Sequence, residues 1–143
     1  MIKKLVATIF VLSMAVLSGC ASNGDMGEDA FGKTIYLRGE MNGWNAKPES
    51  SLTQVETGLY RTVAELEGGK RYKFKFADMS WSCGTNFGYS SGGDGVVSLD
   101  AEPTLLNDCS KYEDLKFTPE LTGSYEFYLD VRGEKAAMFV KAL

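Results

Sequence analysis

Two tryptophans, Trp44 and Trp81, are the side chains best suited to holding a ligand by contact. Each falls among turn-forming residues: Trp44 follows Asn42-Gly43, and Trp81 opens a stretch through Gly95 rich in Gly, Ser and Asn. Between them runs a segment, residues 71–77, whose Lys73 and Lys75 would present donors on its polar face, and Asn86 and Tyr89 could edge the same region. Flat aromatic faces beside donors and acceptors suit binding by stacking and hydrogen bonding. The same residues also fit a plainer role, with both tryptophans plugging the end of a core and both lysines on a solvated outer face.

Catalytic and metal chemistry find less support. The 19 acidic residues fall in no recognisable paired motif, and the chain has no histidine, the usual general base, so no enzymatic activity is expected. A zinc site would have only Cys83 and Cys109 as thiolate ligands. Gly92-Gly93-Asp94-Gly95 offers one carboxylate among glycines, which reads as a turn and not as a calcium loop. No metal or other cofactor is expected.

The amino terminus carries Lys3-Lys4, an apolar run over residues 5–17, and Leu17-Ser18-Gly19-Cys20. The run is short for a permanent membrane span and has the flanks of an export signal. Its ending resembles the lipobox of bacterial lipoproteins, which implies a signal peptide over residues 1–19, lipidation of Cys20, and a membrane anchor followed by a small, polar tether over 20–32. Ala21 after the cysteine, by the sorting pattern of such lipoproteins, favours the outer membrane. Export places Cys83 and Cys109 in an oxidising compartment, where they would pair and close a loop of about 26 residues, for roughly 3 to 4 kcal/mol. Two buried free thiols are the alternative. Loss of Lys3 and Lys4 with the signal takes the formal charge from −4 to −6, which argues against nucleic acid as a partner.

Positioning these residues requires a β scaffold. Residues 35–38 alternate, with Ile35 and Leu37 on one face and Tyr36 and Arg38 on the other. Thr57-Gly58 predicts a hairpin between 52–55 and 59–66, and Tyr72, Phe74 and Phe76 give 71–77 one apolar face and a basic outer one. Residues 96–99, 112–117, 124–131 and 136–142 read as further strands, and 103–110 as loop or a brief helical turn. About seven short strands in residues 33–143 indicate an all-β, immunoglobulin-like antiparallel sandwich in one domain.

With these pieces placed, the sequence over residues 35–143 resembles the early-set immunoglobulin-like modules that bind starch and glycogen, the family 48 carbohydrate-binding modules. Tyr36-Leu37-Arg38-Gly39-Glu40-Met41-Asn42-Gly43-Trp44 resembles the opening strand and Asn-X-Trp turn of that family. Gly68-Gly69-Lys70-Arg71-Tyr72-Lys73-Phe74-Lys75-Phe76 resembles its Gly-X-Tyr-X-Tyr-Lys-Phe strand. Phe74-Lys75-Phe76-Ala77, Trp81-Ser82 and Asn86-Phe87-Gly88 are similar to runs in the amino-terminal accessory domains of bacterial pullulanases, several of which are lipoproteins.

The resemblance implies that Trp44 and Trp81 stack glucose rings and that Lys73 hydrogen-bonds sugar hydroxyls, with Asn86 beside them. A glucan exposes apolar C–H faces rimmed by hydroxyls, so the chemistry agrees. Two stacks and a few hydrogen bonds sum to about 4 to 6 kcal/mol, or binding between about millimolar and tens of micromolar. The expected function is therefore non-catalytic binding of an α-glucan by a membrane-anchored lipoprotein, serving a neighbouring glycan-degrading enzyme. The competing expectation is an adaptor lipoprotein of the envelope whose exposed aromatics hold a protein partner.

Overall fold

The computed structural model describes residues 29–143; the signal segment, Cys20 and most of the expected tether lie outside them. The described residues form ten strands: β1 (Tyr36–Gly39), β2 (Thr53–Glu56), β3 (Leu59–Leu66), β4 (Tyr72–Ala77), β5 (Asn86–Tyr89), β6 (Val96–Val97), β7 (Thr104–Asn107), β8 (Leu115–Phe117), β9 (Gly123–Asp130) and β10 (Ala137–Ala142). Two short 3-10 turns, Glu40–Asn42 and Pro48–Ser50, follow β1.

Pairing runs β2-β3-β9-β10-β7-β5-β4-β8-β6, with β1 added on β4, and every pair is antiparallel except β6 with β8. The sheet does not close, and it folds into an all-β sandwich. Phe74 of β4 meets Phe127 of β9 edge-on at 5.1 Å between ring centroids, and Phe117 of β8 meets Phe127 at 6.1 Å. These contacts join strands that are not hydrogen-bonded neighbours, so they mark the core between the two layers. Phe74, Phe76, Phe117, Phe127, Leu129 and Val140 are buried there, each contributing about 1.5 to 3 kcal/mol. The period-two pattern of β4 and β9 supplies Phe74, Phe76, Phe127 and Leu129, because alternate side chains point to one face.

Several local expectations are corrected. Residues 104–107 form a strand, not a loop; adjacent Leu105 and Leu106 blur the alternation, one 49% exposed and the other buried. The strand expected over 112–117 begins only at Leu115, which leaves Tyr112 on a loop. Lys75 is only 4% exposed, although the face it shares with Lys73 reads as solvated. Upstream of Lys33, Phe31 packs on Tyr60 at 4.9 Å and on Phe87 at 5.7 Å, and the Tyr60 hydroxyl donates to the Asp29 carboxylate. Residues 29–31, read as tether, thus lie against the sandwich.

Candidate functional site

Trp44 is placed by the turn that leaves β1. The Trp44 N–H donates to the Gly39 carbonyl at 2.8 Å, and the Asn42 side chain accepts from the Gly39 N–H while donating to the Leu37 carbonyl. Gly39 cannot carry a side chain, since a Cβ there would lie 2.5 Å from the Lys73 carbonyl oxygen and 2.6 Å from Phe74 Cβ. Trp44 itself has φ of 64°, in the left-handed region that bulky residues avoid at a cost of about 1 to 3 kcal/mol.

Trp81 shares that strain, with φ of 55°. Its turn is organised by Asp78, whose buried carboxylate accepts from both the N–H and the hydroxyl of Ser82 at 2.7 Å and pairs with Lys33 at 3.5 Å. Burial alone would push the Asp78 carboxyl up, but the two Ser82 bonds, the Lys33 charge and Thr85 together hold it below its ordinary value.

One buried cation joins the two turns. Arg38, 8% exposed, donates from Nε to the Trp44 carbonyl at 2.8 Å and from Nη1 to the carbonyls of Asp78 and Met79 at 2.9 and 3.1 Å. Its guanidinium carbon lies 3.7 Å from the centroid of the Trp81 ring. Burial pushes the Arg38 pKa down and the Asp78 charge opposes it; the group remains cationic at any physiological pH. The two indoles stand 6.3 Å apart between ring centroids and inclined by 46°, both half-buried and outside the core. Arg38 covers one face of Trp81, so that face is closed to a ligand.

Both tryptophans line an open cleft of about 720 Å³. Its other lining residues are Lys75, Asn86, Ser110, Lys111, Tyr112 and Asp114. Lys75 Nζ donates to the Lys111 carbonyl at 3.0 Å and lies 3.9 Å from Asp114. Burial lowers the Lys75 pKa, and the Asp114 and Glu113 charges act against that shift. Asn86 Nδ2 donates to the Ser110 carbonyl at 2.9 Å, and among the described residues its Oδ1 has no hydrogen-bond partner.

The loop carrying Tyr112 is tied down. The Glu113 carboxylate accepts from the Ser110 hydroxyl and from the N–H groups of Lys111 and Tyr112 at 2.7 to 2.9 Å, which holds its pKa at about 2. Cys83 and Cys109 form a disulfide, fastening the residues after Trp81 to the residues before Tyr112. Gly88 lets this loop lie against β5, because a Cβ at that position would collide with the Glu113 carbonyl oxygen and the Ser110 hydroxyl.

Of the residues singled out from sequence, Trp44, Trp81 and Asn86 meet at this cleft, whereas Lys73 does not line it. Lys75, two residues along the same strand face, stands there instead. Arg38, Tyr112 and Asp114 were not anticipated. A signal for Tyr112 was present in the cysteines: Cys83 lies two residues after Trp81 and Cys109 three before Tyr112, so their pairing draws the two aromatics together. Among the described residues no group of three or more His, Cys, Asp or Glu side chains is arranged to hold a metal ion.

The described residues thus form an open, all-β sandwich with two neighbouring tryptophans lining a cleft. Among solved structures the chain is similar to one titled "Ligand induced structure of AmyP-SBD", a starch-binding domain, with a TM-score of 0.57 and 20% identity over 98% of this chain and 96% of that one. At that identity the likeness is one of fold. No protein-family model and no curated protein matches the chain.

Proposed function

We propose that this protein is a non-catalytic binder of α-glucan, of the glycogen, starch or maltodextrin type, held at the bacterial outer membrane by a lipid on Cys20. The observation that carries the binding reading is the Trp44–Trp81 pair, inclined by 46° at the mouth of a cleft and held there by Arg38. Two large aromatics kept at positive φ outside the core are expensive unless their exposed faces are used. A starch-binding domain shares the fold, which supports starch or a related glucan as the ligand.

In this reading successive glucose rings lay their C–H faces on the free faces of Trp44 and Trp81. The Lys75 ammonium donates to a sugar hydroxyl, and Asp114, half-exposed at the rim, accepts from one. Charge plays a small part with a neutral polymer, so binding should change little with salt. Affinity between about millimolar and tens of micromolar for one site is enough for a membrane-bound protein, because neighbouring copies engage one polymer together. A glycan-degrading enzyme in the same envelope would be the natural beneficiary.

Affinity electrophoresis in native gels with and without glycogen tests the reading. The protein should be retarded by glycogen, and the double substitution Trp44→Ala, Trp81→Ala should restore free mobility. Unchanged mobility of the wild type would refute glucan binding, and recovery of a stoichiometric envelope protein in its place would favour the adaptor role.

A further inference from the structure

The lining of the cleft includes a third aromatic besides the two tryptophans. Tyr112 is 89% exposed, more than any other large hydrophobic side chain among the described residues. A single exposed tyrosine needs no explanation by itself. Its backbone does call for one: the Tyr112 N–H is held by Glu113, the Tyr112 carbonyl accepts from the Asp114 N–H at 3.1 Å, and the preceding Lys111 carbonyl is held by Lys75. The Cys83–Cys109 disulfide then fastens this loop to the one bearing Trp81. An aromatic presented almost wholly to solvent from a backbone fixed at so many points is pre-organised for contact, since little freedom is lost when a ligand arrives.

We infer that Tyr112 is a third sugar-contacting ring, which meets a glucan chain beyond the Trp44–Trp81 pair in the same cleft and makes the cleft select long maltooligosaccharides over maltose. This rests on the glucan reading above. A disaccharide covers the tryptophan pair and ends there. A longer chain leaving the pair runs along the cleft past Lys75 and Asn86 and brings a further ring to the phenol face. Such a contact adds about one aromatic stack, or roughly tenfold in affinity, to the longer ligand alone.

Calorimetric titration of the full chain with maltose and with maltoheptaose tests this. The wild type should bind maltoheptaose at least tenfold more tightly than maltose. Tyr112→Ala should weaken maltoheptaose about tenfold and leave maltose within twofold, while Tyr112→Phe keeps the wild-type preference. If Tyr112→Ala leaves maltoheptaose unchanged and Trp44→Ala with Trp81→Ala abolishes it, Tyr112 is no contact and glucan binding stands without it. Equal weakening of both sugars would overturn the chain-length role, and a Phe variant as weak as the Ala variant would overturn stacking. If the wild type binds neither sugar, the glucan reading falls and this one with it.

Discussion

The Arg38 guanidinium lies over the Trp81 indole, 3.7 Å from its centroid, while its Nε donates to the Trp44 carbonyl at 2.8 Å. A single side chain on β1 therefore sets the relation between two loops far apart in sequence. Arginine suits this place because its planar fork reaches several carbonyls while its face stacks on a ring; lysine, a point charge, cannot do both.

Arg38→Met should consequently disorder the pair without dismantling the sandwich. Three carbonyls lose a charged donor and one indole loses its cation, for a stability loss of about 2 to 3 kcal/mol. Near-ultraviolet circular dichroism should show a changed tryptophan signal, and glycogen retention should fall about tenfold. Arg38→Lys should lie between the variant and the wild type. A full tryptophan signal and full retention in Arg38→Met would show that the loops hold their places unaided.

The acid limit of the site follows from Glu113 and Asp78. Glu113 titrates at about 2 against an ordinary 4.5, so its hydrogen bonds stabilise the fold fully above about pH 4.5, fade as the pH falls, and are gone below about 2. Asp78 is shifted in the same direction, so its stabilisation too is lost as the pH falls below the ordinary aspartate range. Thermal melts from pH 7 to pH 2 should fall mainly below pH 4.5, and Glu113→Gln should melt lower at neutral pH with a flatter acid limb. Parallel curves for the two proteins would contradict this account.

The legible part of the fold was its period-two core. Tyr72, Phe74 and Phe76 in β4, and Tyr125, Phe127 and Leu129 in β9, announce their inward faces by alternation, and all six are buried. Trp44, Trp81 and Asn86 could be chosen because of their motif-like surroundings. What could not be read was depth. Arg38 and Lys75 alternate with core residues as surface charges do, yet other loops fold over them, and such cover comes from long-range topology and not from neighbouring residues. Residues 112–117 read as one strand ending at Thr118-Pro119; the three bonds to the Glu113 carboxylate that hold the loop at Tyr112 leave no periodic trace.

Reduction should loosen the cleft as well as the fold. The disulfide spans 26 residues, and its loss through Cys83→Ser with Cys109→Ser should destabilise the domain by about 3 to 4 kcal/mol. Because it fastens the Trp81 turn to the Tyr112 loop, glycogen retention should also drop at temperatures where the variant is still folded. Retention equal to the wild type under those conditions would confine the bond to a purely structural role.

The lipid anchor is testable apart from the sandwich. Cys20→Ser should move the protein from the membrane fraction to the soluble envelope fraction, since lipidation is the expected source of attachment. Purified Cys20→Ser protein should bind glycogen with the same affinity per site, because Cys20 is not among the residues that line the cleft, and should lose only the avidity of a crowded surface. Persistence of the variant in the membrane fraction would rule out the cysteine as the anchor.

Lys75 and Lys73 offer the sharpest division between the resemblance and the geometry. Both sit on the same face of β4, and the family likeness favours Lys73, but only Lys75 lines the cleft. The Lys73 main-chain N–H is engaged by Glu40, which says nothing of a sugar, whereas the Lys75 ammonium, a lining group of the cleft, donates to the Lys111 carbonyl and lies 3.9 Å from Asp114. Lys75→Met should weaken maltoheptaose binding by about five- to tenfold, the worth of one charge-assisted hydrogen bond, while Lys73→Met stays within twofold of the wild type. Since burial already lowers the Lys75 pKa, the wild-type affinity should also fall in alkaline solution as its ammonium deprotonates, at a lower pH than an ordinary lysine would require. The reverse ranking of the two variants would move the hydrogen-bonding role back to Lys73 and imply that the glucan crosses the outer face of β4 instead of entering the cleft.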